Sequence, residues 1–308
     1  YARIYPYTNS GTAINYKTDG TVPEVTFGTP MILVTSPNGN ETFYAGDNLN
    51  ITWTSANMDT ETIKCEAYVR QGLTTTWAWE ELAPALPNTG SLSFTIPADA
   101  KYGTQYKIRL TGNTSGVSDE SDAPFTVIAT PSIYDMQSRN TAGASDWSGD
   151  KVRFSGIVTA QYSTTTRFFV QDSAMGWNGI YVYNSPVSPA IGDSVVIEGT
   201  VTEYNGLTEI SPTTSTTVIA SGKPLPTPIS LSTLAVNDEQ YESVLVKVTG
   251  AICLSGSSGN FTVNDGSGNL VVYKSLYSGL TLIINRKYDI TGVVGWYNTT
   301  SQYQLYPR

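Results

Sequence analysis

Apolar positions along this chain recur at every second residue, in short runs broken by glycine, asparagine, proline and serine. "NLNITW" (48–53), "YKIRLTG" (106–112), "PFTVIA" (124–129), "DSVVIEGTVTEY" (193–204) and "VLVKVTGAI" (244–252) alternate or are β-branched. Turn residues separate such runs at about eight to twelve positions, the spacing of sandwiches and barrels. The pattern predicts an all-β protein. Helical spacing is confined to two stretches, each a short helix or a turn, near "SIYDMQS" (132–138) and "SLYSG" (275–279).

The runs group into four segments. Residues 1–29 are too polar and too short to own a core and predict an extended N-terminal arm. Tyr1, Arg3, Tyr5 and Tyr7 alternate there, as do Val25 and Phe27. Such an arm either lies along its own first domain or adds a strand to an open sheet edge, in this molecule or a neighbour. Residues 30–130 predict a β-sandwich with Trp53 in its core. Residues 131–221 and 222–308 predict two barrels, because the chain repeats itself there.

With Asp172 set on Asp265, an offset of 93 residues, Phe168 meets Phe261 and Val170 meets Val263. Ile197, Gly199 and Val201 meet Ile290, Gly292 and Val294, and Tyr204-Asn205 meets Tyr297-Asn298. Residues 150–212 and 243–307 are two copies of one β unit. Each copy reads as five strands. The long first strand bends at a glycine, Gly156 or Gly250, and the longest connector follows the third strand. That order fits an OB-type barrel.

Charge and composition narrow the chemistry. The chain has 308 residues, is 14% charged and carries −9 overall. Acids outnumber bases 11 to 5 over 30–130 and 8 to 4 over 131–221, while 222–308 carries 6 bases and 5 acids. No segment has the basic excess that phosphate binding needs, so nucleic acid is disfavoured as a partner. There is no histidine, which removes imidazole acid–base chemistry, the Ser-His and Cys-His catalytic pairs and His metal ligands. Of the two cysteines, Cys65 alternates inward with Ile63, Ala67 and Val69. Cys253 falls on the face of Lys247 and Thr249 and is expected outward, where it could bridge two molecules. No run reaches the roughly 18 apolar residues of a membrane span. A first residue other than Met is expected of a processed, secreted chain.

Two family resemblances follow from particular stretches. The order "SPNGNETFYAGDNLNITW", "FTIPADAKYGTQYKIRL", "SDESDAPFTV" resembles the KNH-type Ig-like domain named after yeast cell-wall glucan-synthesis proteins. That resemblance implies a secreted, modular sandwich and brings no catalytic residues. "VRFSGIVTAQYSTTTRFFVQD…GIYVYN…GDSVVIEGTVTEYNGLTEIS" is similar to the OB-like domain attached to secreted bacterial nucleases and large surface proteins. In those proteins the module stands beside a separate catalytic domain, so nuclease activity is not implied here.

The candidate sites are few. Trp177 and Asn178 in "MGWNG", with Tyr181, Tyr183 and Trp296, supply aromatic rings and an amide suited to sugar stacking and hydrogen bonding. Asp119, Glu120 and Asp122 in "SDESD" are the one acidic cluster that could take calcium, although the glycine and ligand spacing of a calcium loop are missing. Glycoside cleavage would need paired carboxylates, and the sequence offers Glu80-Glu81 and Glu203/Glu209. The first pair points to opposite sides, and the second flanks a hairpin where both are expected in solvent. The expectation is a non-enzymatic extracellular or cell-surface protein without cofactor. It would self-associate into a fibre through its β modules and arm; the alternative is a glycan- or single-strand-binding accessory module.

Overall fold

A computed structural model describes residues 2–3, 24–25, 28–139, 143–257, 259–297 and 299–308. Its strands are β1 (Ala2–Arg3), β2 (Glu24–Val25), β3 (Met31–Ser36), β4 (Thr42–Tyr44), β5 (Asn48–Ala56), β6 (Thr62–Arg70), β7 (Trp77–Pro87), β8 (Ser91–Thr95), β9 (Gly103–Gly112), β10 (Ser118–Glu120) and β11 (Phe125–Ile128). One helical turn, α1 (Ile133–Met136), follows. Then come β12 (Lys151–Gln161), β13 (Phe168–Gln171), β14 (Gly179–Val182), β15 (Ser194–Tyr204), β16 (Leu207–Ala220), β17 (Ile229–Ser230), β18 (Leu245–Ser257), β19 (Asn260–Asn264), β20 (Asn269–Tyr273), β21 (Lys287–Tyr297) and β22 (Gln302–Pro307). The protein is all-β, with a sandwich followed by two barrels.

In the arm, β1 pairs antiparallel with β2, Ala2 opposite Val25 and Arg3 opposite Glu24. The arm's described strands are thus each other's partners. Tyr1, Tyr5, Tyr7 and Phe27 lie outside the described residues. The sandwich stacks the sheet β3-β5-β8 on the sheet β4-β11-β9-β6-β7, with β10 paired to β9. Alternation along β5 and β6 turns Leu49, Ile51, Trp53, Ile63 and Cys65 inward; Ile108, Leu110 and Phe125 are buried as well. Contacts divide the chain into two compact units. One holds the sandwich (47–96 and 103–126, with residues up to 43). The other holds both barrels (127–308, with 44–46 and 97–102).

The first barrel closes in the order β12-β13-β14-β16-β15, and β14 runs parallel to β16. The second repeats this as β18-β19-β20-β22-β21, closed by β18–β21 and again parallel at β20–β22. This is the five-strand OB order in both copies. The aspartates that anchor the repeat have one job. Asp172 accepts the Ile133 backbone N–H at 2.9 Å, and Asp265 accepts that of Thr233 at 3.1 Å. Each ties the segment entering its barrel onto the second-to-third-strand turn. The tied segment plugs the barrel with apolar side chains, Ile133 and Met136 in one and Val236 in the other, all 0% exposed. The Ser132–Asp135 capping box starts α1, satisfying backbone donors that a one-turn helix would leave open.

One expectation is reversed. Cys253 is fully buried, in the second barrel's core with Val248, Ala251 and Val263. Pairing of β18 with β21 slips between Val248 and Ala251, and Gly250 sits there at φ +69°. A bulge at a left-handed glycine inserts one residue and flips every later side chain to the other face. Strict alternation carried across residues 249–250 therefore points Cys253 the wrong way. Both cysteines are free and buried, so no intermolecular disulfide forms through Cys253 in this fold. The 275–279 stretch is a turn rather than a helix.

Candidate functional site

Strands of both barrels that are apolar on both faces build the site. Phe168 faces into the first barrel, while its neighbour Phe169 faces out. The same split separates Ile180 and Val182 from Tyr181, Val294 from Val293, and Leu305 from Tyr306. The outward set Ala160, Phe169, Tyr181, Leu245, Val293 and Tyr306 forms a buried cluster joining the two barrels. Phe169 lies 5.0 Å from the Tyr181 ring and 6.5 Å from that of Tyr306, the latter edge-on. Hydrogen bonds cross the joint as well. The Leu245 N–H donates to Gln171 Oε1 at 2.6 Å, the Thr208 N–H to Glu242 Oε1 at 3.1 Å, and Trp296 Nε1 to the Asn205 carbonyl at 2.7 Å. A Cβ on Gly179 would lie 2.4 Å from the Ser243 backbone, so only glycine lets the barrels approach this closely.

Beside this cluster the barrels leave a cleft of about 530 Å³, within the usual size of ligand sites. Its walls come from both copies of the repeat. The first barrel gives Arg167, Tyr181, Tyr183, Thr202, Tyr204, Asn205, Leu207, Glu209 and Ser211; the second gives Trp296 and Tyr297. Tyr204 and Tyr297 are repeat equivalents, 62% and 42% exposed, and line the same opening. Trp296 is fixed at its indole N–H by Asn205 and against Tyr303, 4.8 Å between ring centres. The rings are thus presented by rigid strands and one Asn-Gly hairpin turn.

Electrostatics within the cleft are uneven. Glu209 is the one carboxylate of the lining, and burial pushes it up to about 7. Its expected solvent exposure is corrected: Glu209 is 5% exposed, because the joint covers that end of β16. Glu203 does not face it, since it accepts the Ser145 N–H and the Thr208 hydroxyl. Glycoside cleavage needs two carboxyl groups across one bond, and this lining supplies one. Burial, reinforced by Tyr162, raises the Tyr181 hydroxyl, while Arg167 opposes that shift.

The sequence-derived candidates are redistributed. Tyr181, Tyr183 and Trp296 come together in the cleft. Trp177 and Asn178 do not line it. The Trp177 N–H donates to the Gln240 carbonyl at 2.6 Å, Asn178 Nδ2 binds the Gly176 carbonyl, and Asn178 is buried. "MGWNG" is a packing loop between the barrels. The Gln240 carbonyl holds its backbone, while the Trp177 side chain stays partly exposed. Asp119, Glu120 and Asp122 do not converge. Asp119 accepts the Val34 N–H, Glu120 lies 3.7 Å from Arg109, and Asp122 pairs with Asn38. Strand β10 sends Asp119 and Glu120 to opposite faces. Among the described residues no group of three or more His, Cys, Asp or Glu side chains could hold a metal ion. Arg167, Thr202, Asn205 and Ser211 also line the cleft and carry no motif of their own; the repeat, which aligns Tyr204 with Tyr297, is the sequence signal that points to this opening.

Comparison with known proteins identifies the sandwich. Residues 36–127 match the model of the Kre9/KNH-like N-terminal Ig-like domain. That stretch of the sandwich is therefore similar to a KNH-type Ig-like domain, and two OB-like barrels follow it in the chain. It is also 30% identical over 183 residues to "Endonuclease YhcR" of Bacillus subtilis (strain 168), a match covering 52% of this chain and 14% of that protein. Fibronectin(III)-like modules of Clostridium thermocellum CbhA align over 61% of this chain and 94% of theirs, at 14% identity and TM-score 0.20. A DUF4784 family protein from Bacteroides caccae ATCC 43185 aligns over 92% and 85%, at 10% identity and TM-score 0.19. At those scores neither alignment carries an argument. No helix among the described residues is long and apolar enough to cross a membrane.

Proposed function

We propose that this chain is a non-catalytic, extracellular adhesive protein whose barrel pair binds glycan in the inter-barrel cleft. The observation that carries this reading is the cleft's composition: five aromatic side chains from two repeat copies, rimmed by Thr202, Asn205 and Ser211. Aromatic faces take the C–H face of a pyranose, and hydroxyl and amide groups fix its orientation. The KNH-type domain supports an extracellular setting. The matched relative is named an endonuclease, which makes single-stranded DNA the natural competitor ligand. A cleft lining with a single cation, in a chain of net charge −9, argues against it.

The test removes rings that pack least. Tyr204→Ala with Tyr297→Ala is expected to lower glycan affinity at least about tenfold, roughly 1.4 kcal/mol, with unchanged thermal stability, by titration calorimetry on glycans selected from an array. Unchanged affinity sinks the cleft as the site.

Fibre assembly through the arm is a second reading. Its support is that β1 and β2 pair only with each other, so among the described residues their outer edges stay open for strand addition. Deleting residues 1–29 is then expected to abolish polymers in electron micrographs, and polymers of unchanged form would remove the arm from assembly.

A further inference from the structure

Resting on that reading, we infer that the glycan is acidic, a uronate-bearing polysaccharide whose carboxylate is held by Arg167. The Arg167 guanidinium stands at the cleft wall, 4.7 Å from the Tyr162 ring centre and 6.0 Å from that of Tyr183. Its Nε donates to the Thr165 hydroxyl at 3.0 Å, and it reaches the Tyr181 hydroxyl. No carboxylate pairs with it among the described residues. The contrast within the molecule is plain: Arg109 is paired with Glu66 at 2.9 Å, and Arg139 with Glu239. In an acidic chain, a half-buried arginine held between two rings without a counter-ion is an open bidentate carboxylate site.

The rest of the lining agrees. Burial pushes the wall's only carboxyl, Glu209, up to about 7, so it repels an anion less than an exposed glutamate would. Aromatic faces on both sides suit the sugar ring that carries the acid. A phosphodiester would also satisfy a guanidinium. A strand of nucleic acid, however, needs cations spaced along its backbone, and Arg167 is the only cation of this lining.

The experiment uses the full chain against polygalacturonate, alginate and hyaluronate, each in native form and after carboxyl reduction to the neutral polymer, with oligodeoxythymidylate as a further arm. At least one native polymer is expected to bind at least tenfold tighter than its reduced form. Arg167→Gln is expected to erase that difference, while Arg167→Lys restores part of it. Raising the salt concentration should weaken only the native polymer's binding in the wild type, which tests the pairing without a variant. Equal binding of native and reduced polymers would overturn the acidic ligand while leaving the glycan reading standing. Failure of every polymer in both forms would overturn both readings. Arg167-dependent binding of the oligonucleotide alone would do the same, in favour of a nucleic-acid ligand.

Discussion

Phe169→Ala is expected to uncouple the two barrels and lower the stability of their joint by about 3–5 kcal/mol, the usual cost of emptying a buried phenylalanine site. Phe169 is 2% exposed and belongs to the outward cluster, its ring centre 5.0 Å from Tyr181 of the first barrel and 6.5 Å from Tyr306 of the second. Its loss leaves a cavity that Ala160 and Leu245 are too small to fill. In scanning calorimetry the wild-type barrel pair should melt in one transition, since a shared core makes its halves cooperative. The variant should show two transitions, or one lowered by about 8–15 °C. Phe168→Ala is the control: its side chain points into the first barrel's own core, so it should unfold that barrel rather than separate the pair. A Phe169→Ala melt superimposable on the wild type would refute a joint held by this cluster. The cleft is made by the joint, so glycan affinity should fall with it.

The second large effect is a loss of stability with rising pH, caused by Glu242. Its Oε1 accepts the Thr208 N–H and its Oε2 the Tyr303 hydroxyl at 3.3 Å. It is 1% exposed. Burial pushes it up to about 8, opposed by Arg139 and the Thr208 N–H and reinforced by Glu203 and Glu239. Arg139 is itself engaged by Glu239, which limits its help. Between about pH 4.5 and 8 the folded state keeps a proton that the unfolded state releases. Stability from this group is therefore complete below about 4.5 and lost as pH climbs to about 8. The slope is about 1.4 kcal/mol per pH unit, on the order of 5 kcal/mol in all. Glu209, raised to about 7, adds a smaller change of the same sign. Asp265 acts in another window: hydrogen bonds from Ser267 and Thr233 hold it low, and its contribution is lost only as pH falls below about 4. Glu242→Gln keeps an acceptor for Thr208 and a partner for Tyr303. It should match the wild type at pH 5 and exceed it by several kcal/mol at pH 8.5 in denaturant titrations. Parallel pH profiles for the two proteins would exclude Glu242 as the source.

Alternation alone determined the all-β class and the inward faces of β5 and β6, because a strand's period of two is a local property of the backbone. The repeat was equally legible: Asp172 and Asp265 occupy matched places because each barrel needs its entering segment tied down in the same way. The tertiary structure alone decided what is buried between units. "FFVQ" and "GIYV" show that both strand faces are apolar, but not that the second face meets Leu245, Val293 and Tyr306 from a barrel about a hundred residues on. That pairing moved Trp177 from candidate ligand platform to packing loop, covered Glu209, and set Tyr204 across from Tyr297 and Trp296. The bulge at Gly250 likewise became visible only in the pairing of β18 with β21. Local sequence sets which way a side chain leaves its strand; what it meets depends on where the neighbouring barrel docks, and that is fixed by the sum of many weak contacts distant in the chain.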